Sequence, residues 1–206
     1  MTTHRNGIPS TEWSVQDGRL PADPLALLHD WMPADTDPDR PVATLATVDE
    51  TGAPDARAVL LSSYRDGVAT FHTDTRSRKA AQLHARPAAA VLLAWSATAR
   101  QLVMRGSTTV SSRAEQSAAY ARRPRYLQLL AWENSDATAE LDRHAREQRW
   151  AEFDRDHPQL EPPDTWIGFA LSASELTFWE ASPIGPSRRA RYRLEDGRWA
   201  HACIAG

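Results

Sequence analysis

One cysteine, Cys203, and one lysine, Lys79, stand in 206 residues. A single cysteine excludes an intramolecular disulfide and argues against a metal site built on thiolates, so no metal is expected. Basic residues number 24 against 27 acidic ones, a net charge of -3, without the basic excess of a nucleic-acid binder. No apolar run approaches the roughly 20 residues that a membrane span needs. The opening Met1-Thr2-Thr3-His4-Arg5 leads into no apolar stretch of secretory type. A cytoplasmic protein with neither nucleic-acid nor membrane partners is the expectation. No G-x-G-x-x-G fingerprint for a dinucleotide is present either. What remains is a globular composition, 41% hydrophobic and 25% charged, with eight tryptophans. That aromatic content points to an oligomer interface or a site for a flat ligand.

Residues 1–22 are polar and interrupted by Gly7, Pro9, Gly18 and Pro21, which reads as a flexible arm. Residues 23–206 read as one domain. Asp23-Pro24 supplies a helix cap and a proline for the first turn, and Leu25, Leu27, Leu28 and Trp31 give the apolar stripe of a short helix to about Met32. A loop rich in Asp and Pro follows, Pro33 to Pro41. Strands are predicted over 42–48, 56–63, 68–73, 88–95 and 101–110, with turns at Asp49–Gly52 and Asp66-Gly67. A short helix is predicted over Ser77–Ala85. Helices then cover Ser112–Arg122, Tyr126–Trp132 and Thr138–Asp156, the last charged on most turns. The chain returns to strand at 166–171, 175–179, 191–194 and 199–203, with a hairpin turn at Glu195-Asp196-Gly197. Short antiparallel strands with inserted helices imply a mainly β fold, a barrel of Greek-key type.

The lone lysine lies in Thr75-Arg76-Ser77-Arg78-Lys79. A chain that uses arginine everywhere else keeps a compact point charge here. Arg78 and Lys79 begin a helix directly after a strand, a place suited to a phosphate. The alternative from the residues alone is a pair of solvated charges.

The order of several segments is more specific. Asp23-Pro24-Leu25, Ala46 to Gly52, Arg57-Ala58-Val59-Leu60-Leu61, Phe71-His72-Thr73, Ser77-Arg78-Lys79-Ala80, Arg100-Gln101, Arg123-Pro124-Arg125 and Phe178-Trp179 follow one another along nearly the whole chain. In this the sequence resembles the pyridoxamine 5'-phosphate oxidase family. The resemblance implies an FMN-binding split β-barrel that acts as a homodimer, with FMN between the subunits. It implies that Arg57, Arg78 and Lys79 hold the FMN phosphate. The backbone of Ala58, Val59, Leu60, Leu61 and Ser62 would run along the flavin ring. His72 and Thr73 would lie near the phosphate and ribityl chain, and Gln101 would bond the ring edge. Trp179 and Arg189 would come from the second subunit.

The substrate side departs from the family pattern. The family holds its substrate's phosphate with lysine, tyrosine, arginine and serine. Here the lysine position is Ser62, and the serine position is Leu127. The tyrosine position is Ala119, or Tyr120 with one residue deleted, and only Arg123 remains. Where the family has arginine, leucine and histidine in a row, this chain has Gly185-Pro186-Ser187 before Arg188 and Arg189. Tyr120, Arg123, Leu127, Trp132, Ser187 and Arg188 are therefore candidate substrate-pocket residues. Loss of donors to a desolvated phosphate costs about 1.5–3 kcal/mol each, so pyridoxamine or pyridoxine phosphate should be a poor substrate. The expected activity is an FMN-dependent oxidation of a small, unphosphorylated heterocycle in natural-product biosynthesis. Hydride would pass to the flavin, and molecular oxygen would be the final acceptor. No catalytic base is assigned. His72 qualifies by residue type alone, and its strand position favours a structural role. The alternatives are a pyridoxine/pyridoxamine 5'-phosphate oxidase proper, a flavin reductase, and a flavin- or haem-binding split-barrel protein without turnover.

Overall fold

The computed structural model describes residues 13–32 and 42–205. The loop expected at 33–41 and the first twelve residues lie outside these. Residues 13–22, expected as part of a flexible arm, instead pack on the barrel. Val15 is fully buried, Ser14 and Arg19 form a β-bridge, and the Tyr192 hydroxyl donates to the Pro21 carbonyl (2.9 Å).

Helix α1 (Pro24–Trp31) begins as its sequence dictates, with the Asp23 carboxylate accepting from the Leu25 amide. Strands β1 (Ala43–Val48) and β2 (Pro54–Val59) form a hairpin. After it come β3 (Leu61–Arg65), β4 (Val68–Asp74), helix α2 (Arg78–Ala85), β5 (Ala88–Trp95) and β6 (Arg100–Val110). Four helices follow: α3 (Arg113–Ala121), α4 (Arg125–Glu133), α5 (Asp136–Ala139) and α6 (Arg143–Asp156). Strands β7 (Trp166–Glu180), β8 (Arg188–Glu195) and β9 (Arg198–Ala205) complete the chain.

Among the described residues, nine strands form one antiparallel sheet in the order β2-β1-β5-β6-β7-β4-β3, with β8 on β7 and β9 on β8. Strands β2 and β3 stand at opposite ends of that order, yet only Leu60 separates them in the chain. The two sheet edges must therefore meet at Leu60, and this curls the sheet into a split barrel. The single strand expected over 56–63 is corrected to two for the same reason: each half pairs with a different neighbour. Strand β7 carries a second division. One edge follows β6 from Phe169 to Glu180, whereas the other pairs with β4 up to Ser172 and with β8 from Glu175.

The inward faces alternate with outward ones, as a strand period of two requires. Leu45, Phe71, Val91, Met104, Phe169, Leu176 and Phe178 are almost wholly buried, each contributing about 1.5–3 kcal/mol. Trp31 closes one end, edge-on to Trp95 and Phe178. Helix α2 closes the other, next to β1. There Ser77 caps it by accepting from the Ala80 amide.

Candidate functional site

Two polar clusters sit back to back on β4, because successive strand residues point to opposite sides. Thr73 looks toward the barrel end under α2. On β2, the inward-facing Arg57 reaches the same end. Its guanidinium donates to Thr47 Oγ1 (2.6 Å), the Leu45 carbonyl (3.3 Å) and Gln82 Oε1 (3.0 Å), and pairs with Asp55 (2.7 Å). Arg78 also reaches Asp55 (3.2 Å). The Gln82 amide, together with Arg57 and Arg78, holds the Asp55 carboxyl below the usual carboxylate range. Lys79 Nζ donates to Thr73 Oγ1 (3.1 Å), itself 3.2 Å from Ser77 Oγ. Among the described residues Lys79 has no carboxylate partner. Burial, with Arg57 nearby, pushes its ammonium below the ordinary lysine value. Two arginines thus share one carboxylate, and beside them at the helix start stands a lysine bound only to a hydroxyl, an arrangement that fits a dianionic phosphate.

His72, one residue earlier, looks the other way. Its Nδ1 lies 2.7 Å from Ser62 Oγ, and Arg123 Nη2 donates to the same hydroxyl (3.2 Å). The imidazole stacks on Trp166, with centroids 5.0 Å apart, and the Arg123 guanidinium lies 4.9 Å from a Trp166 ring centroid. Burial, together with Arg123 and Arg122, pushes the His72 pKa down to about 4. The ring is therefore neutral near pH 7. Gly168 is required beneath it, because a Cβ there would come within 2.7 Å of His72 Nε2 and 2.3 Å of Ser111 Oγ.

Two cavities meet at Arg123 and Leu127. The larger, about 550 Å³, lies between the end of β4, the start of α2 and helices α4 and α5; its walls include Thr73, Ser77, Lys79, Asn134, Ser135 and Trp166. The smaller, about 260 Å³, follows the seam at Leu60 and is walled by Met32, Leu60, Leu61, Ser62, Ala119, Arg122 and Pro124, besides Arg123 and Leu127. One cavity is hydroxyl-rich and cationic. Its neighbour is mostly apolar, with two arginines.

The family model described as pyridoxamine 5'-phosphate oxidase matches residues 36–155. The chain belongs to the pyridoxamine 5'-phosphate oxidase family. A pyridoxine/pyridoxamine 5'-phosphate oxidase of Caulobacter vibrioides is 34% identical over 182 residues, covering 86% of this chain and 82% of that protein. One from Pseudomonas paraeruginosa is 33% identical over 202 residues, covering 95% and 94%. Among solved structures, PhzG from Burkholderia lata in complex with tetrahydrophenazine-1-carboxylic acid superposes with a TM-score of 0.77. It is 26% identical, over 90% of this chain and 94% of its own. A pyridoxamine 5'-phosphate oxidase-related, FMN-binding protein of Nostoc punctiforme gives a TM-score of 0.64 at 23% identity, over 80% of this chain and 86% of its own, which bears on the fold alone.

Within this family fold most residues singled out in the sequence lie at the barrel end or at the cavities. Arg57, Thr73, Arg78 and Lys79 gather at the barrel end, where Thr73 and Lys79 also line the larger cavity. Leu60, Leu61, Ser62, His72, Arg123 and Leu127 gather at the two cavities. Ala58 is exposed, and Val59 is buried on the inward face. Gln101, Trp179 and Arg189 form one cross-strand row, Gln101 opposite Trp179 and Trp179 opposite Arg189. The row faces outward, since the adjacent Leu102, Phe178 and Ala190 are buried. Neither this row nor Ser187 and Arg188 lines either cavity of the single chain.

Tyr120 lies outside both cavities. It is buried, its hydroxyl donating to the Gln128 carbonyl (3.0 Å) and accepting from Trp132 Nε1 (3.1 Å). These bonds brace α3 against α4, so Tyr120 and Trp132 pack the helices while Ala119 faces the smaller cavity. Asn134, Ser135, Trp166, Arg122 and Gly168 were not singled out in the sequence. Asn134-Ser135, a polar pair just after an apolar helix, is the signal that could have been used; Trp166 gave none beyond its size.

Proposed function

We propose that this chain is an FMN-dependent oxidoreductase that removes two electrons from a small, unphosphorylated heterocyclic substrate. The carrying observation is the makeup of the smaller cavity. Ser62, Ala119, Arg123 and Leu127, the four positions at which the family pattern grips a substrate phosphate, all line it. Three of the four can offer a phosphate no charge, and Leu127 places apolar surface where an oxygen would sit.

Arg57, Arg78 and Lys79, with Thr73, would hold the FMN phosphate, and the backbone of 58–62 would lie along the ring. FMN, when bound, supplies the two-electron acceptor, with molecular oxygen the final oxidant. Arg123 would anchor a single anionic group of the substrate, while Leu60, Leu61 and Leu127 would pack its ring and keep water out. His72 is neutral at pH 7 and committed to Ser62. In this reading it takes no proton from substrate, and the substrate proton leaves to water. The reduced phenazine carboxylic acid bound by PhzG is a compound of the class proposed, which supports a role in secondary metabolism.

We infer a homodimer, a reading that the outward-facing row supports. The outward row of Gln101, Trp179 and Arg189 would complete the site of a second copy, and a twofold axis would give two equal sites. We place the protein in the cytoplasm. The second reading, a pyridoxine/pyridoxamine 5'-phosphate oxidase proper, is favoured by the relatives' activity and by the retained Arg123. Oxygen consumption by the FMN-loaded protein separates the two. Turnover with a reduced phenazine carboxylic acid and none with pyridoxine or pyridoxamine 5'-phosphate is expected. Efficient turnover of either phosphate would establish the second reading instead.

A further inference from the structure

Arg123 is largely buried, and among the described residues it has no carboxylate partner. Its Nε–H is buried without an acceptor, and its Nη2 leans on Ser62 Oγ. A guanidinium so placed must be aimed by something neutral. The Ser62 hydroxyl owns one proton. Its oxygen already accepts from the cation Arg123, which polarises the O–H outward. The acceptor within reach of that proton is His72 Nδ1, at 2.7 Å. An imidazole whose Nδ1 accepts carries its own proton on Nε2. That nitrogen is buried without a partner over Gly168, where Ser111 Oγ is equally unpartnered. The stack on Trp166 fixes the ring plane.

We propose that Ser62 and His72 are positioning residues that determine specificity, through a directional chain from Arg123 Nη2–H to Ser62 Oγ and from the Ser62 O–H to His72 Nδ1, which aims Arg123 at the carboxylate of a flat substrate. The inference rests on the reading of Arg123 as the anion anchor. A neutral serine in this role adds no charge to the cavity beyond the guanidinium groups of Arg122 and Arg123. The surrounding charged groups, Arg122 and Arg123, both disfavour an imidazolium, so the ring is neutral and one of its nitrogens is free to accept.

Two readouts on the FMN-loaded, ¹⁵N-labelled full chain test this. The first is the His72 tautomer from long-range ¹H–¹⁵N spectra, assigned by its loss in His72→Phe. The second is the affinity for benzoate, a plain aromatic carboxylate. Wild type should show the Nε2–H tautomer alone. Ser62→Ala should mix the two tautomers, and Ser62→Thr, which restores a hydroxyl, should recover the single one. Benzoate affinity should fall about tenfold in Ser62→Ala and in His72→Phe, and return in Ser62→Thr. An Nδ1–H tautomer in wild type, or benzoate binding indifferent to Ser62→Ala, overturns the proposal. The expected tautomers in a protein that binds no benzoate would instead remove the anion-anchor reading of Arg123, and the specificity role with it.

Discussion

Lys79 and Arg78 are neighbours in sequence but not in environment. Lys79 is half-buried against Thr73 and Arg57, whereas the Arg78 side chain is 80% exposed. A partly desolvated cation contributes more to a phosphate than a solvated one. Lys79→Ala is therefore expected to raise the FMN dissociation constant by about 10- to 100-fold, one lost charge-assisted bond. Arg78→Ala should raise it less, as read by flavin fluorescence quenching. His72 gives a second expectation. Its folded pKa of about 4 lies below the ordinary 6.5, so between those values the unfolded chain binds more protons than the native one. Stability is then fully present above pH 6.5 and lost as pH falls toward 4, by at most about 3 kcal/mol. Melting temperatures of wild type should drop across that window, and those of His72→Phe should change less there. The lone lysine could be picked out because its type is rare in this chain. His72's role could not, because its partners come from β3 and from the α3–α4 connection.

At the scale of elements, most boundaries followed from caps and turn residues. Asp23-Pro24 began α1, Ser77 began α2, and Asp196-Gly197, both at positive φ, turned β8 into β9. The differences have tertiary causes. The helix expected over 138–156 is two, because Asp142 accepts from the Ala145 amide and starts α6 afresh. The strands expected at 166–171 and 175–179 are one. The polar Ser172-Ala173-Ser174 reads as a gap, yet β6 pairs with Ser172 and Ala173 and resumes at Glu175, and there the other edge passes from β4 to β8. At that point the β6–β7 register shifts, because Arg105 faces Glu175 while Gly106 faces Ala173, which leaves Ser174 as the extra residue of a bulge on β7. A Cβ on Gly106 would lie 1.9 Å from the Ser172 carbonyl oxygen, and backbone cannot rotate away as a side chain can. Gly106→Ala is expected to destabilise by about 2 kcal/mol or more in chemical denaturation; a change near zero would mean the β6–β7 contact is looser than described.

In the whole molecule, one curled sheet brings a cationic barrel end and an apolar seam together at Arg123, while the Gln101–Trp179–Arg189 row faces away. If that row serves a second copy, Lys79 and Trp179 act on the same flavin from different chains. Lys79→Ala and Trp179→Ala proteins should each bind FMN weakly. Co-refolded in equal amounts, they should recover about a quarter of the tight sites, since half the dimers are mixed and each mixed dimer has one intact site. No recovery would place both residues in one chain's site. Ser62, Arg123 and Leu127 could be named as cavity positions from family motifs, but the assignment of Ala119 rather than Tyr120 to the cavity needed the α3–α4 packing. The most direct test of the whole account is calorimetric titration of the FMN-loaded protein with pyridoxal 5'-phosphate and with phenazine-1-carboxylate. With phosphate donors missing at Ser62 and Leu127, the phosphate should bind about 100-fold more weakly than the carboxylate. Tighter binding of pyridoxal 5'-phosphate would contradict a cavity built for an unphosphorylated substrate.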